Sequence, residues 1–135
     1  MSHHIPEGFH ALTPFLHVQD GDAFIEWAKA ALGATVRFVR HEEGKLRHGE
    51  IVIEGCVLEL SDAGEDWPSQ PASFHLYVPD PDATYARALE AGAKSLYEVT
   101  DHDYGERSGG VADAWGNHWY LARVTDPVLR SPEPS

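Results

Sequence analysis

Cysteine is all but missing from this chain. Cys56 is the only one in 135 residues, which excludes an internal disulfide and a cysteine-rich zinc site and fits a reducing cytoplasm. Basic side chains are scarce too: 10 Lys and Arg stand against 22 Asp and Glu, a formal charge of −12. Phosphate backbones and anionic membranes are held by clustered Lys and Arg, so neither nucleic acid nor a membrane is an expected partner. A cationic small ligand is compatible with that charge, although an acidic surface is commonly just a soluble one. Long apolar runs are lacking as well. No stretch approaches the roughly 20 residues of a membrane span, and the opening MSHHIPEGFH has no basic segment followed by an apolar one. The expected setting is the cytoplasm.

What is present is enough for one ordinary core, since 42% of the residues are hydrophobic and a chain of this length is most simply a single domain. The domain is expected over 9–124, with tails at 1–8 and 125–135. His3 and His4 fall in the first tail, and TDPVLRSPEPS, rich in Pro and Ser, is expected to fray.

Inside the domain one unit is written twice. Displaced by 60 positions, Val18 falls over Val78, Asp20 over Asp80, Asp22 over Asp82, and Arg47 and Gly49 over Arg107 and Gly109. Displaced by 61, Gly55 falls over Gly116 and Leu60 over Leu121. Each half opens on an alternating run, LTPFLHV or SFHLYV, that reads as a strand. A helix follows each. Asp20 or Asp22 caps the first, which carries Phe24, Trp27, Ala28, Ala31 and Leu32 on one stripe and stops at Gly33. Asp80 caps the second, with Pro81 at its first position, Tyr85, Ala88 and Leu89 inward and Gly92 as the stop. Three further strands follow in each half, giving βαβββ twice, in units 9–62 and 72–124 joined by a linker at 63–71. A repeated supersecondary unit is the simplest account.

Glu54-Gly55 reads as a two-residue hairpin turn pairing Ile53 with Cys56. Counting back sets Glu50 opposite Glu59 and His48 opposite Ser61. A period of two puts these four on one face, with Ile51, Ile53, Leu58 and Leu60 on the other, under the helix. Two carboxylates opposite one another repel. In solvent that costs little, whereas in a cavity it calls for a shared proton, a cation or a metal.

The double βαβββ order, TPFLHVQDGDAFIEWAKAALGA, HGEIVIEGCVLELSD and above all YGERSGGVADAWGNHWYLA resemble the vicinal oxygen chelate superfamily, which includes glyoxalase I, extradiol dioxygenases and bleomycin-resistance binding proteins. The PhnB-like, glyoxalase-like branch is the most similar. The resemblance implies an α+β fold in which the two βαβββ units form curled mixed sheets around a cup-shaped cavity, commonly in a homodimer, with a small-molecule ligand in the cup. It also implies metal-ligand positions on the first and last strands of each unit, here Thr13, Glu59, Ser73 and Tyr120. Only Glu59 suits a metal, so the usual two-histidine, one-carboxylate set is not matched.

Strand parity nevertheless turns Phe15, His17, His75, Tyr77 and His118 to the ligand side, with His48 beside Glu50 and Glu59. A displaced site holding Zn, Ni, Co, Mn or Fe through Glu59 with His75, His118 or His48 is one expectation, and a cavity lined by hydrogen-bonding histidines is the simpler one. Glu59 and Tyr120 are the candidate catalytic groups, for moving a proton or donating to a substrate oxygen. Gly110 stands where Glu50 stands in the first half and leaves that wall low. Arg107 is expected to meet Glu106, Asp103 or a ligand carboxylate. His41 and His102 are expected in solvent-facing loops, and Cys56 as a small inert hydrophobe. Trp67, in the acidic linker DAGEDWPSQP, suits a cationic aromatic ligand by stacking and charge, or else seals a sheet edge or a dimer contact. Three functions therefore remain: a small-molecule binder without the metal triad, a divalent-metal lyase, isomerase or transferase with a displaced Glu/His site, and a structural or regulatory dimer without chemistry.

Overall fold

The computed structural model describes residues 3–132, and the chain divides between Gln70 and Pro71 into two compact units. The expected tails at 1–8 and 125–135 therefore lie in part, at 1–2 and 133–135, outside the described residues.

The first unit runs β1 (Phe15–Val18), α1 (Gly21–Leu32), β2 (Thr35–Glu42), β3 (Lys45–Ile53) and β4 (Cys56–Asp62). Its sheet has the order β1-β4-β3-β2, with β1 parallel to β4 and the other pairs antiparallel. Helix α1 starts where Asp20, at φ 60, accepts from the Ala23 amide, and it stops at Gly33, at φ 69. Its buried stripe is Phe24, Ile25, Trp27, Ala28, Ala31 and Leu32, and the sheet answers with Leu16, Val18, Ile51, Leu58 and Leu60, all buried. The carboxylate of Asp62 ties helix to sheet, accepting from Gly21 N at 2.7 Å and Leu46 N at 2.9 Å. A Cβ on Gly21 would lie 2.6 Å from Leu46 Cδ2, so only glycine lets the helix start this close to the strands.

The second unit repeats the plan: β5 (Ser73–Tyr77), α2 (Pro81–Glu90), β6 (Lys94–His102), β7 (Glu106–Ala112) and β8 (His118–Val124), in the order β5-β8-β7-β6. Asp80 caps α2 through the Ala83 amide. Thr84 and Ala88 are the side chains α2 buries after Pro81, while Tyr85 and Leu89 are only half buried. Between β7 and β8 the turn Asp113–Asn117 is organised by one carboxylate. Asp113 accepts from the amides of Trp115 and Asn117, from Asn117 Nδ2 and from the Trp119 indole, at 2.9 to 3.0 Å. Trp119 is buried and stacks on Phe74 at 4.4 Å.

The α+β double βαβββ fold stands, and the hairpin arithmetic holds: Ile53 pairs with Cys56 and Glu50 with Glu59, through a turn with positive φ at both Glu54 and Gly55. Four details differ from the sequence reading. Strands β2 and β6 run on to include His41 and His102, because cross-strand pairing to Leu46 and Glu106 continues past the last apolar residue. Cys56 is exposed at the hairpin mouth. Arg107 turns to the helix side and grips Asp82 through two bonds of 2.8 Å, with Asp101 at 3.2 Å. Residues 126–131 pack rather than fray: Arg130 N bonds Asp126 O, and Arg130 reaches back to Glu106.

Candidate functional site

One rung crosses the whole first sheet. Phe15 pairs with Glu59, Glu59 with Glu50 and Glu50 with Phe38, so two carboxylates lie between two aromatic rings on the face away from α1. The neighbour of Glu59 is thus Phe15. Thr13, matched by sequence to that position, lies two residues earlier and outside β1, where its hydroxyl donates to His10 O at 3.3 Å. His48 joins the rung from the adjacent position of β3. Its Nε2 stands 2.8 Å from Glu50 Oε2 and 3.4 Å from Glu59 Oε1, and one ligand-type atom from each of these three residues lies within 4.8 Å of the others. Arg37 Nε donates to Glu50 Oε1 at 3.1 Å, and its guanidinium rests 4.9 Å over the Phe9 ring. The like-charge pair is therefore offset by the Arg37 guanidinium, and the His48 ring nitrogen lies within reach of both carboxylates.

Rings continue along this face. Phe15 lies 5.0 Å from His17 and 6.0 Å from His48, and Phe38 lies 6.0 Å from His48. His17, held by its Nδ1 at 3.0 Å from Ser61 Oγ, stacks on Trp67 at 5.6 Å and 16°. Trp67 is 66% exposed. Two cavities open here within the first unit. One, of about 480 Å³, is lined by Phe15, His17, Arg40, Ser61, Asp62 and Trp67 among others. The second, of about 640 Å³, lies over Glu50, Glu59 and Arg37 and is walled by the N-terminal arm from His4 to Thr13.

The equivalent rung of the second sheet is His75, Tyr120, Gly110 and Tyr97. Here again the first-strand neighbour is two residues beyond the one matched by sequence: His75 adjoins Tyr120, while Ser73 pairs with His118. The wall at Gly110 is not low. A Cβ there would meet the Tyr97 ring at 2.5 Å, because that ring fills the space and lies 6.4 Å from Tyr120 in a stacked arrangement. Ser108, two residues before Gly110 on the same face, is buried under the Tyr97 hydroxyl at 3.1 Å. His118 meets Tyr120 edge-on at 6.3 Å.

A functional-type group that sequence reasoning passed over sits at the corner of this sheet. Glu106 is fully buried. Its Oε2 accepts from Tyr77 Oη at 2.6 Å and from Arg130 Nε at 2.9 Å, and its Oε1 stands 3.3 Å from His75 Nε2. Burial on its own would raise this carboxyl, but the Tyr77 hydroxyl and the charges of His75 and Arg130 outweigh it and hold Glu106 below its ordinary value. In YGERSGG a glutamate beside an arginine signals only a surface pair. The first unit thus gathers Phe15, His17, His48, Glu50, Glu59 and Trp67, and the second gathers Ser73, His75, Tyr77, Gly110, His118 and Tyr120. No helix among the described residues is long and apolar enough to cross a membrane.

Comparison with known proteins fits this architecture. An uncharacterised protein of Mycobacterium bovis is 34% identical over 133 residues, covering 87% of this chain and 86% of its own. Among solved structures, TioX from Micromonospora sp. ML1 superposes with a TM-score of 0.75 at 21% identity, over 85% of this chain and 98% of its own. TnmS3, described as an antibiotic binding protein from Streptomyces sp. CB03234, does so with 0.68 at 19%, over 85% and 95%. At such identities these two structures share the fold and no more. The family model matches residues 8–121, and the chain belongs to the Glyoxalase/Bleomycin resistance protein/Dioxygenase superfamily, the vicinal oxygen chelate proteins.

Proposed function

We propose that this chain is a small-molecule-binding protein of the bleomycin-resistance kind, in the PhnB-like branch, and that it takes a planar aromatic ligand, best a cationic one, on the ring face of its first unit. The observation that carries this reading is Trp67. Its indole is held parallel to His17 at 5.6 Å yet remains 66% exposed, at the edge of a cavity of about 480 Å³ that Phe15 also lines. A ring fixed on one side and open on the other offers a surface for a second flat system. Glu42 and Asp62 in the lining are matched by Arg40 and Arg47 there, so the preference for a cation rests on the net charge of −12 and on the indole face. The description of TnmS3 as an antibiotic binding protein accords with this reading.

Calorimetric titration with proflavine, a planar cation, tests it. Trp67→Ala is expected to weaken binding roughly tenfold, from the loss of a stacking contact; unchanged affinity in that variant would refute the assignment. Assembly as a homodimer belongs to the same reading, since the edge strand β2 leaves Val36, Phe38 and Val39 exposed, and light scattering measures it.

A second reading rests on His48, Glu50 and Glu59. One imidazole nitrogen and two carboxylate oxygens within 4.8 Å of one another are a donor set that fits a divalent ion of the Zn, Mn or Fe type, so these three residues would hold it. Such an ion, when bound, supplies Lewis acidity toward a substrate oxygen. Arg37, on Glu50, orients that carboxylate and competes with the ion for it. Metal content measured on protein purified without chelators decides between the readings. Near-stoichiometric metal lost in His48→Ala favours the second, and absence of metal after incubation with each ion removes it.

A further inference from the structure

The ring-face reading leaves unused the charged corner of the second unit. The Glu106 side chain is 1% exposed. Both hydrogen bonds it accepts, from Tyr77 and Arg130, fall on Oε2. Oε1 accepts none from the described residues, although His75 Nε2 stands 3.3 Å away. A buried carboxylate, held in its charged form, thus has one oxygen that accepts two hydrogen bonds and one bare of hydrogen bonds, with the His75 ring nitrogen near it at 3.3 Å. Bare buried acceptors are exceptions in folded proteins, and each calls for an explanation.

The cation on this carboxylate comes from the C-terminal stretch. Gly105 admits that stretch: at φ +89, a Cβ on it would lie 2.9 Å from both the Asp126 carbonyl oxygen and Leu129 Cβ. The carbonyl of Gly105 accepts from the amides of Thr125 at 2.8 Å and Asp126 at 3.2 Å. Arg130, itself 39% exposed, then reaches one carboxylate oxygen through Nε, while its Nη2 is used 3.3 Å away on Tyr77 Oη. A guanidinium and a carboxylate pair most strongly through two parallel bonds. Arg130 makes one. Beside it the rings of His75 and Tyr77 stack at 4.7 Å and 20°, and both are nearly half exposed, a wall suited to a flat cation.

We propose that the His75, Tyr77 and Glu106 corner is a binding site for the guanidinium or amidinium head of a small ligand, with Arg130 as its resident competitor. A ligand head that spans both oxygens of Glu106 uses the bare one and displaces Arg130 from the other. The His75 ring turns aside to admit it. The acidic net charge of the chain raises the local concentration of any such cation. This site lies wholly within the second unit, so it stands or falls apart from the Trp67 face.

Benzamidinium titrated into the isotope-labelled full chain, followed by NMR, tests the proposal. Expected are saturable shifts at Tyr77, Gly105 and Glu106 and a change at the Arg130 Nε–H signal, persisting in Trp67→Ala. Arg130→Ala is expected to bind about tenfold more tightly, because the competing internal state is gone. Glu106→Gln is expected to bind at least about tenfold more weakly, because the charge-assisted pair is gone. Benzyl alcohol, neutral but of similar shape, should leave the corner unmoved. The proposal is overturned if the shifts are absent, if benzyl alcohol produces them equally, or if Arg130→Ala binds no more tightly. The last outcome makes Arg130 a structural clamp and nothing more, and it is read without requiring Glu106→Gln to fold.

Discussion

The two central rungs occupy the same register of two equally built sheets and carry opposite chemistry. In the first unit the order is Phe15, Glu59, Glu50, Phe38; in the second it is His75, Tyr120, Gly110, Tyr97. Carboxylates fill the middle of one rung, and a phenol and a glycine fill the middle of the other. The buried carboxylates of the second unit stand off this rung, at Glu106 at the start of β7 and at Asp113 in the turn after it. The first unit keeps its two carboxylates partly open, under a cavity and beside Arg37 and His48. A duplicated frame thus places ligand-type groups at the middle of the rung in one copy and at the corner of the sheet in the other. The frame is set by the aliphatic faces, which leaves the opposite faces free to diverge.

Breaking the fixed part of the second unit should have the largest effect. Asp113→Ala strands the Trp119 indole and the Asn117 amide, which the carboxylate now serves, and is expected to cost roughly 3 kcal/mol or more. Asp62→Ala, with two backbone amides at stake, should cost about 2 kcal/mol. Urea unfolding of both variants measures the difference, and equal losses would mean that the turn at 113–117 is not the more demanding joint.

The divergent rung is tested next. Gly110→Ala forces a methyl into the Tyr97 ring and is expected to destabilise by about 1–3 kcal/mol, whereas Glu50→Ala in the equivalent place opens space and should cost less. A neutral result at Gly110 would show that Tyr97 swings away freely and that the wall is open after all.

The smallest effect concerns pH. Glu106 is held below its ordinary value of 4.5, so its contribution to stability is present above that pH and is lost as pH falls through the lower folded-state value. The wild type is therefore expected to lose more stability than Glu106→Gln as pH is lowered from 6 to about 3. Parallel pH profiles for the two proteins would remove the charge from the account of this corner.

Much of this was legible in the residues. The pairing of Glu50 with Glu59 follows from a two-residue turn and a period of two, both local. The helix starts at Asp20 and Asp80 follow from side-chain capping, also local. The first-strand register did not follow, since the helix and two strands separate β1 from its parallel partner β4 and no turn counts residues across that gap. Hence Thr13 and Ser73 gave way to Phe15 and His75. Gly110 reads as leaving the wall low, and that reading fails because Tyr97 reaches the space across an irregular stretch of the β6–β7 pairing.

By itself the sequence determined the order of elements, where each helix begins, which strand faces are aliphatic and which carboxylates pair across the first hairpin. These depend on backbone bonds and periodicities that reach only a few residues. Only the tertiary structure decided that Trp67 lies flat on His17 and that Glu106 is buried. The partners of Glu106 are Tyr77, 29 residues before it, and Arg130, 24 residues after it. Whether a charged group keeps its water depends on what packs over it, and in both places that cover comes from a distant part of the chain.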